Sequence, residues 1–212
     1  DTLVETSPGF YVASWLPTAG NVYSINVVAD GFEAVYSENV VFPQPVNLEE
    51  VVYETGFEDI NGDPAFSVKP VFIDIINEDN YYCFGFKLFV GEETYTGNIF
   101  ESPDNEALGC KAGRLIFNQR LHIIYSDNCF PGNAFPLSFI GAKVEHVGEI
   151  IPYDKCEFSV GAVSKELIDY ASNIWETAGS QLLLSDPKLN YSNITNGFGV
   201  FWAQNDTTFI YN

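Results

Sequence analysis

The chain has 212 residues and a net charge of −20, with 46% of residues hydrophobic and only 18% charged. That balance supports a packed core and excludes global disorder. The acidic excess repels phosphate, which excludes nucleic acid as a partner and disfavours anionic lipid surfaces. The length leaves room for one large or two small domains.

In chain order, residues 1–45 read as part of a small β-sandwich. Gly9–Trp15 has strand character, and Pro17 with Gly20 marks a turn. Tyr23, Ile25 and Val27 alternate with Ser24 and Asn26, and Asp30-Gly31 gives a hairpin signal before Phe32, Ala34 and Tyr36. Three or four strands fit here, too few to close an immunoglobulin-like sandwich. Phe42-Pro43-Gln44-Pro45 marks the domain boundary, because two prolines cannot join a ladder.

Residues 46–212 form the larger β-rich domain. Strands are expected at 51–57, 65–76, 81–90, 94–100, 114–125, 135–148 and 156–163. Then comes the one convincing helix, near 164–178. Ser164 is a suitable N-cap, Glu166 places negative charge in the first turn, and Gly179 is the stop. Leu167, Ile168, Ala171, Ile174, Trp175 and Ala178 make one apolar stripe, which fits packing on a sheet face. Beyond it, Asn196-Gly197 favours a tight turn, and Phe198, Val200 and Trp202 alternate as in a strand. The fold class is therefore mainly β: a partial immunoglobulin-like β-sandwich followed by a larger β-rich domain with one amphipathic helix.

Cys83, Cys110, Cys129 and Cys156 form no C-x-x-C pair and have only His122 and His146 for company, which argues against zinc. An even count in a turn-rich β chain favours two disulfides and an oxidising compartment. Three pairings are open. The expected one joins Cys110 to Cys129, in turn-like stretches flanking one strand, and Cys83 to Cys156 between strands.

Asp59-x-Asn61-x-Asp63 resembles the start of a calcium loop, with alternating oxygen ligands. The match then fails, because Pro64 stands where the loop needs glycine and Pro70 where it needs the last glutamate. An acidic turn explains it without a cation, and no cofactor is expected. No G-x-S-x-G or H-E-x-x-H is present, so the chain is expected not to be an enzyme. Trp15 and Trp202 are candidates for stacking on a ligand. No run is long and apolar enough to span a membrane as a helix. The start at Asp1, without a leader or methionine, suggests a processed or trimmed piece of a longer precursor.

Three stretches together carry a family likeness. They are Gly9-Phe10-Tyr11 with Pro17–Val27; Ile73–Tyr82; and Val163-Ser164 with Tyr170, followed by Asn193-Ile194-x-Asn196-Gly197-x-Gly199-x-Phe201. Their order resembles a Bacteroidota family of outer-membrane lipoproteins, domain of unknown function 4249. The resemblance implies an N-terminal immunoglobulin-like domain, a C-terminal β-rich part and genes beside TonB-dependent receptors. It assigns no catalytic residues. It also implies cell-surface or periplasmic placement through a lipid anchor that this chain lacks. O-glycosylation in that lineage would fit Thr2 in Asp1-Thr2-Leu3 and Thr207 in Asp206-Thr207-Thr208. The expected function is a non-enzymatic accessory subunit of an outer-membrane barrel such as a TonB-dependent receptor. The alternative is a surface glycan-binding or adhesion module.

Overall fold

The computed structural model describes residues 2–59, 62, 64–74, 79–96, 98–102, 109–129, 134–142, 144–146, 149–151, 153–180 and 191–212. Side chains are described for the same residues except 57, 98, 129, 134–136, 142, 144–146, 149–151 and 175–180. The protein is mainly β, with one α-helix and antiparallel sheets.

Six short strands open the chain: β1 (Val4–Ser7), β2 (Phe10–Val12), β3 (Val22–Tyr23), β4 (Asn26–Val27), β5 (Val35–Ser37) and β6 (Val40–Val41). β1 pairs with β2, β3 with β6 and β4 with β5. The Asp30-Gly31 signal falls in the β4–β5 connection, where Phe32 N–H donates to Ala29 O at 3.2 Å. These strands have little interior of their own: within 2–45, only Ser37 and Val40 are buried.

The larger part is a two-sheet sandwich. Its strands are β7 (Asn47–Glu58), β8 (Pro64–Ile73), β9 (Tyr81–Val90), β10 (Glu93–Tyr95), β11 (Asn98–Glu101), β12 (Lys111–Phe117), β13 (Arg120–Ser126), β14 (Ala134–Pro136), β15 (Phe139–Ala142), β16 (Val144–His146), β17 (Glu149–Ile151) and β18 (Lys155–Val163). After them come α1 (Lys165–Ser180), β19 (Ile194–Thr195) and β20 (Gln204–Tyr211). One sheet runs β12-β13-β9-β18-β20, with β10 also on β9; the other runs β11-β15-β8-β14, with β7 also on β8; β16 and β17 belong to neither and pair with each other as a separate hairpin. The strand expected at 94–100 is two strands, β10 and β11, which belong to different sheets.

Period-two alternation turns one face of each sheet inward. Phe84, Phe86 and Leu88 of β9 meet Phe158 and Val160 of β18 and Ile123 and Tyr125 of β13. The facing sheet contributes Phe66, Val68, Phe72 and Phe139. Phe84 lies at the centre, with ring centroids 5.0 Å from Phe139 and 5.8 Å from Tyr125.

The outer face of the β12–β20 sheet carries the helix. Leu167, Ile168 and Ala171 of α1 pack on Cys83, Ile124 and Val163. Ser164 precedes the helix as expected, but its hydroxyl does not cap the first turn. It accepts the Ala203 N–H at 3.1 Å, while Ser164 N–H donates to Ala203 O at 2.9 Å. The helix also runs past Gly179 to Ser180.

Residues 198–203, expected as a strand, are not one. Their backbone is bound by side chains instead. Asn193 is 2% exposed, accepts the Phe201 N–H at 2.8 Å and donates to Phe201 O at 2.7 Å. Between these clamped ends, Asn196 has φ 59° and Gly199 φ 135°, so the loop needs residues that tolerate positive φ. Ile194 and Thr195 pair with Ser37 and Tyr36, so β19 adds a strand beside β5 of the N-terminal part. Asn193→Ala is expected to cost about 1–3 kcal/mol, because it strands two backbone groups of Phe201. Amide exchange across 194–201 should accelerate; exchange at the wild-type rate would show that the clamp does not hold this loop.

The cysteines require a correction. Cys83 and Cys156 are both free and buried. Cys83 lies opposite Gly161 and Cys156 opposite Leu88, five positions apart along β9, so they occupy opposite faces of the sheet. Cys83 packs under the helix, and Cys156 lies inside the sandwich. Cys110 is disulfide-bonded, and the side chain of its expected partner, Cys129, lies outside the described residues.

Candidate functional site

The helix covers only one end of the outer face. Beyond it lies an open groove of about 500 Å³, lined by residues of β9, β13 and β20, the β12–β13 turn and Trp202. Sheet order builds it from three distant stretches of sequence. His122 pairs with Gly85, Gly85 with Ser159 and Ser159 with Thr208, giving one row across β13, β9, β18 and β20. Phe117 is opposite Arg120 and Lys87 opposite Glu157, which places a charged row beside it.

Gly85 stands in this row between His122 and Ser159. A Cβ there would meet Ser159 Oγ at 2.3 Å and Arg120 Cδ at 2.8 Å, so both side chains lean over the bare backbone. Ser159 and His122 are 1% and 3% exposed, yet among the described residues Ser159 Oγ and His122 Nε2 have no hydrogen-bond partner. Orphaned buried polar atoms are costly and infrequent in folded proteins.

One wall is aromatic. The Phe117 ring stacks on His122 at 3.7 Å, and Trp202 meets Phe117 edge-on at 5.4 Å. The other ring nitrogen of His122, Nδ1, lies 3.2 Å from Cys83 Sγ. Burial, and secondarily the Arg120 charge, pull the imidazole down to about 4, so His122 is neutral at pH 7. Burial, then the Asp206 charge, push the Cys83 thiol well above its ordinary range. A protonated, buried thiol is a poor nucleophile, so this cysteine–histidine contact does not resemble an activated dyad.

The charges are unevenly paired. Arg120 Nη2 donates to Glu157 at 3.3 Å, and Lys155 Nζ lies 3.0 Å from the same carboxylate. Lys87 has no carboxylate partner among the described residues, whereas Lys69, Lys111, Arg114, Arg120, Lys155 and Lys165 all do. Asp206 lines the β20 side with Gln204 and Thr208, and Asn118 stands at the β12–β13 turn beside Arg120.

Of the residues singled out from sequence, Trp202 enters this groove. Trp15 does not line it; it stacks on Tyr23 at 5.4 Å in the N-terminal part. Asp59 O accepts the Gly62 N–H at 3.0 Å in a turn, and Asn61 and Asp63 lie outside the described residues. Among the described residues no cluster of His, Cys, Asp or Glu is arranged to hold a metal. Thr2 and Thr207 are exposed. Among the described residues no helix is long and apolar enough to cross a membrane.

The fold and groove define a β-sandwich protein with a lateral cleft beside one sheet-packed helix. The chain belongs to the family described as domain of unknown function (DUF4249), whose model matches residues 2–210. No curated protein matches it. No solved structure matches it either.

Proposed function

We propose that this chain is a non-enzymatic accessory subunit at the outer membrane that docks on a β-barrel such as a TonB-dependent receptor. The observation that carries this reading is a contrast of surfaces. The sandwich encloses most of its described aromatic residues, Phe100 being half exposed, while in the N-terminal part Phe10, Leu16, Val28 and Phe32 are 69%, 89%, 73% and 80% exposed. Large apolar side chains displayed in this number mark an interaction surface. The net charge of −20 favours a neutral or basic partner face. Bacteroidota origin, the lipid anchor of the precursor, cell-surface or periplasmic placement and the Cys110–Cys129 bond belong to the same proposal. They rest on the family likeness and on the even cysteine count.

The test is a tagged pull-down of the full-length protein from native membranes in mild detergent. Stoichiometric recovery of an outer-membrane barrel is expected, with loss of that barrel when Phe10, Leu16 and Phe32 are replaced together by glutamate. Recovery of the protein alone would overturn the reading.

A second reading, a surface glycan-binding module, is favoured by the placement of Trp202. It stands with Phe117 beside groove residues that pair with hydroxyls, as a sugar ring requires. Glycan-array binding lost on Trp202→Ala but kept on Trp15→Ala would assign it to the groove.

A further inference from the structure

We propose that the groove between α1 and the end of the β12–β20 sheet binds the uronate unit of an acidic saccharide. Lys87, Arg120, His122 and Ser159 would take the carboxylate end, and Trp202 would lie beside the sugar ring. This inference rests on the glycan-binding reading and narrows it to one chemical class.

Two kinds of observation converge. The first is the pair of buried polar atoms without partners among the described residues. Ser159 Oγ leans over Gly85, and His122 across the same row has Nε2 unpaired. The Cys83 thiol keeps its proton, so it can donate to Nδ1, which places the imidazole hydrogen on Nε2. Both atoms can then donate to a ligand oxygen.

The second is charge. In a chain of net charge −20 with nine lysines and arginines, two of the nine line this groove. One of them, Lys87, is the cation without a carboxylate partner among the described residues. Arg120 gives one hydrogen bond to Glu157 and has further donors on its fork. Arg120, His122 and Ser159 stand around Gly85, and Lys87 lies two positions along β9, so cationic and neutral donors share one patch.

The rest of the groove suits a ligand with hydroxyls better than a bare phosphate or a simple fatty acid. Asp206 carries negative charge on the β20 side, and Asn118, Gln204 and Thr208 add neutral hydrogen-bonding groups. Such groups pair with hydroxyls. The aromatic edge supplies the flat apolar contact that the C–H face of a pyranose needs. A volume of about 500 Å³ accommodates a disaccharide.

The test is titration of the full chain with digalacturonate, its neutral counterpart galactobiose and free serine, followed by calorimetry and amide NMR. Digalacturonate is expected to bind at least tenfold more tightly than galactobiose. Lys87→Met should remove most of that advantage, and Ser159→Ala should weaken binding severalfold, both at wild-type thermal stability. The His122 ring nitrogens should shift with digalacturonate and not with galactobiose. Equal binding of both disaccharides, lost on Trp202→Ala, would overturn the uronate assignment and leave the glycan reading standing. Absence of binding by either disaccharide at millimolar concentration would overturn both. Tighter binding of serine, whose ammonium would sit at Asp206, would replace the saccharide by an amino acid.

Discussion

Replacing Phe84 with alanine is expected to destabilise the protein by about 3–5 kcal/mol, a fall in melting temperature of roughly 6–20 °C for a chain of this size. Phe84 is fully buried and packs among Phe72, Phe139, Phe158 and Tyr125, drawn from both sheets. Truncation would leave a cavity bounded by rigid strands, which collapse less readily than loops. The control is the same substitution at Phe198, which is 96% exposed. It should change stability by less than about 0.5 kcal/mol. A small loss at Phe84, comparable with that at Phe198, would mean that the two sheets do not close on a common core.

The second large effect concerns Glu101. Its side chain is 5% exposed and accepts Lys111 Nζ at 2.9 Å, a short bond from Arg114, and a long contact from the Tyr125 hydroxyl at 3.5 Å. Glu101→Gln would leave two cations facing a neutral amide. Breaking a fully buried pair costs about 3–5 kcal/mol, and because both cations reach water in part the expected loss is about 2–3 kcal/mol. Acid should mimic the substitution. Burial alone would raise the Glu101 pKa, but the hydrogen bonds from Lys111 and Arg114 outweigh it and hold the carboxyl below its ordinary value. A depressed folded-state pKa means that this stability is complete above the unfolded glutamate pKa. It is lost as pH falls through the folded value. Wild-type stability measured by chemical denaturation should therefore fall below about pH 4.3, and the Glu101→Gln variant should lose less over the same range. Parallel pH profiles for the two proteins would show that this carboxylate is not the titrating group.

Much of the sandwich was legible because its strands obey one strong rule. The runs 51–57, 65–76 and 81–90 are apolar and bounded by turn residues, and strands stand there, the second as far as Ile73; the run 114–125 is two strands, β12 and β13, parted by a turn at Asn118 and Gln119. The helix was legible from Leu167, Ile168 and Ala171 at helical spacing. The segment from Phe198 to Ala203 was not, because its hydrogen bonds go to Asn193 and Ser164 and no local pattern announces them. The groove left a faint trace. Lys87, Arg120, His122, Glu157, Ser159, Gln204, Asp206 and Thr208 all sit at alternate positions on their strands. What could not be read was the order β13-β9-β18-β20, and without it these residues belong to four unrelated places. The same ignorance of order and face made a Cys83–Cys156 bridge look reasonable.

The pairing of β19 with β5 has a kinetic meaning. Asn196 bonds Ala34 O across 162 positions, and Asn205 bonds Pro43 O across the same separation. A polypeptide leaving the ribosome presents β4 and β5, then waits for the sandwich strands up to β18 and the helix before their neighbour β19 exists. The sheet containing β4 and β5 is thus completed long after those strands themselves are made. Until then the unpaired edge of β5 stays open to chaperones, to proteases and to the strands of other nascent copies.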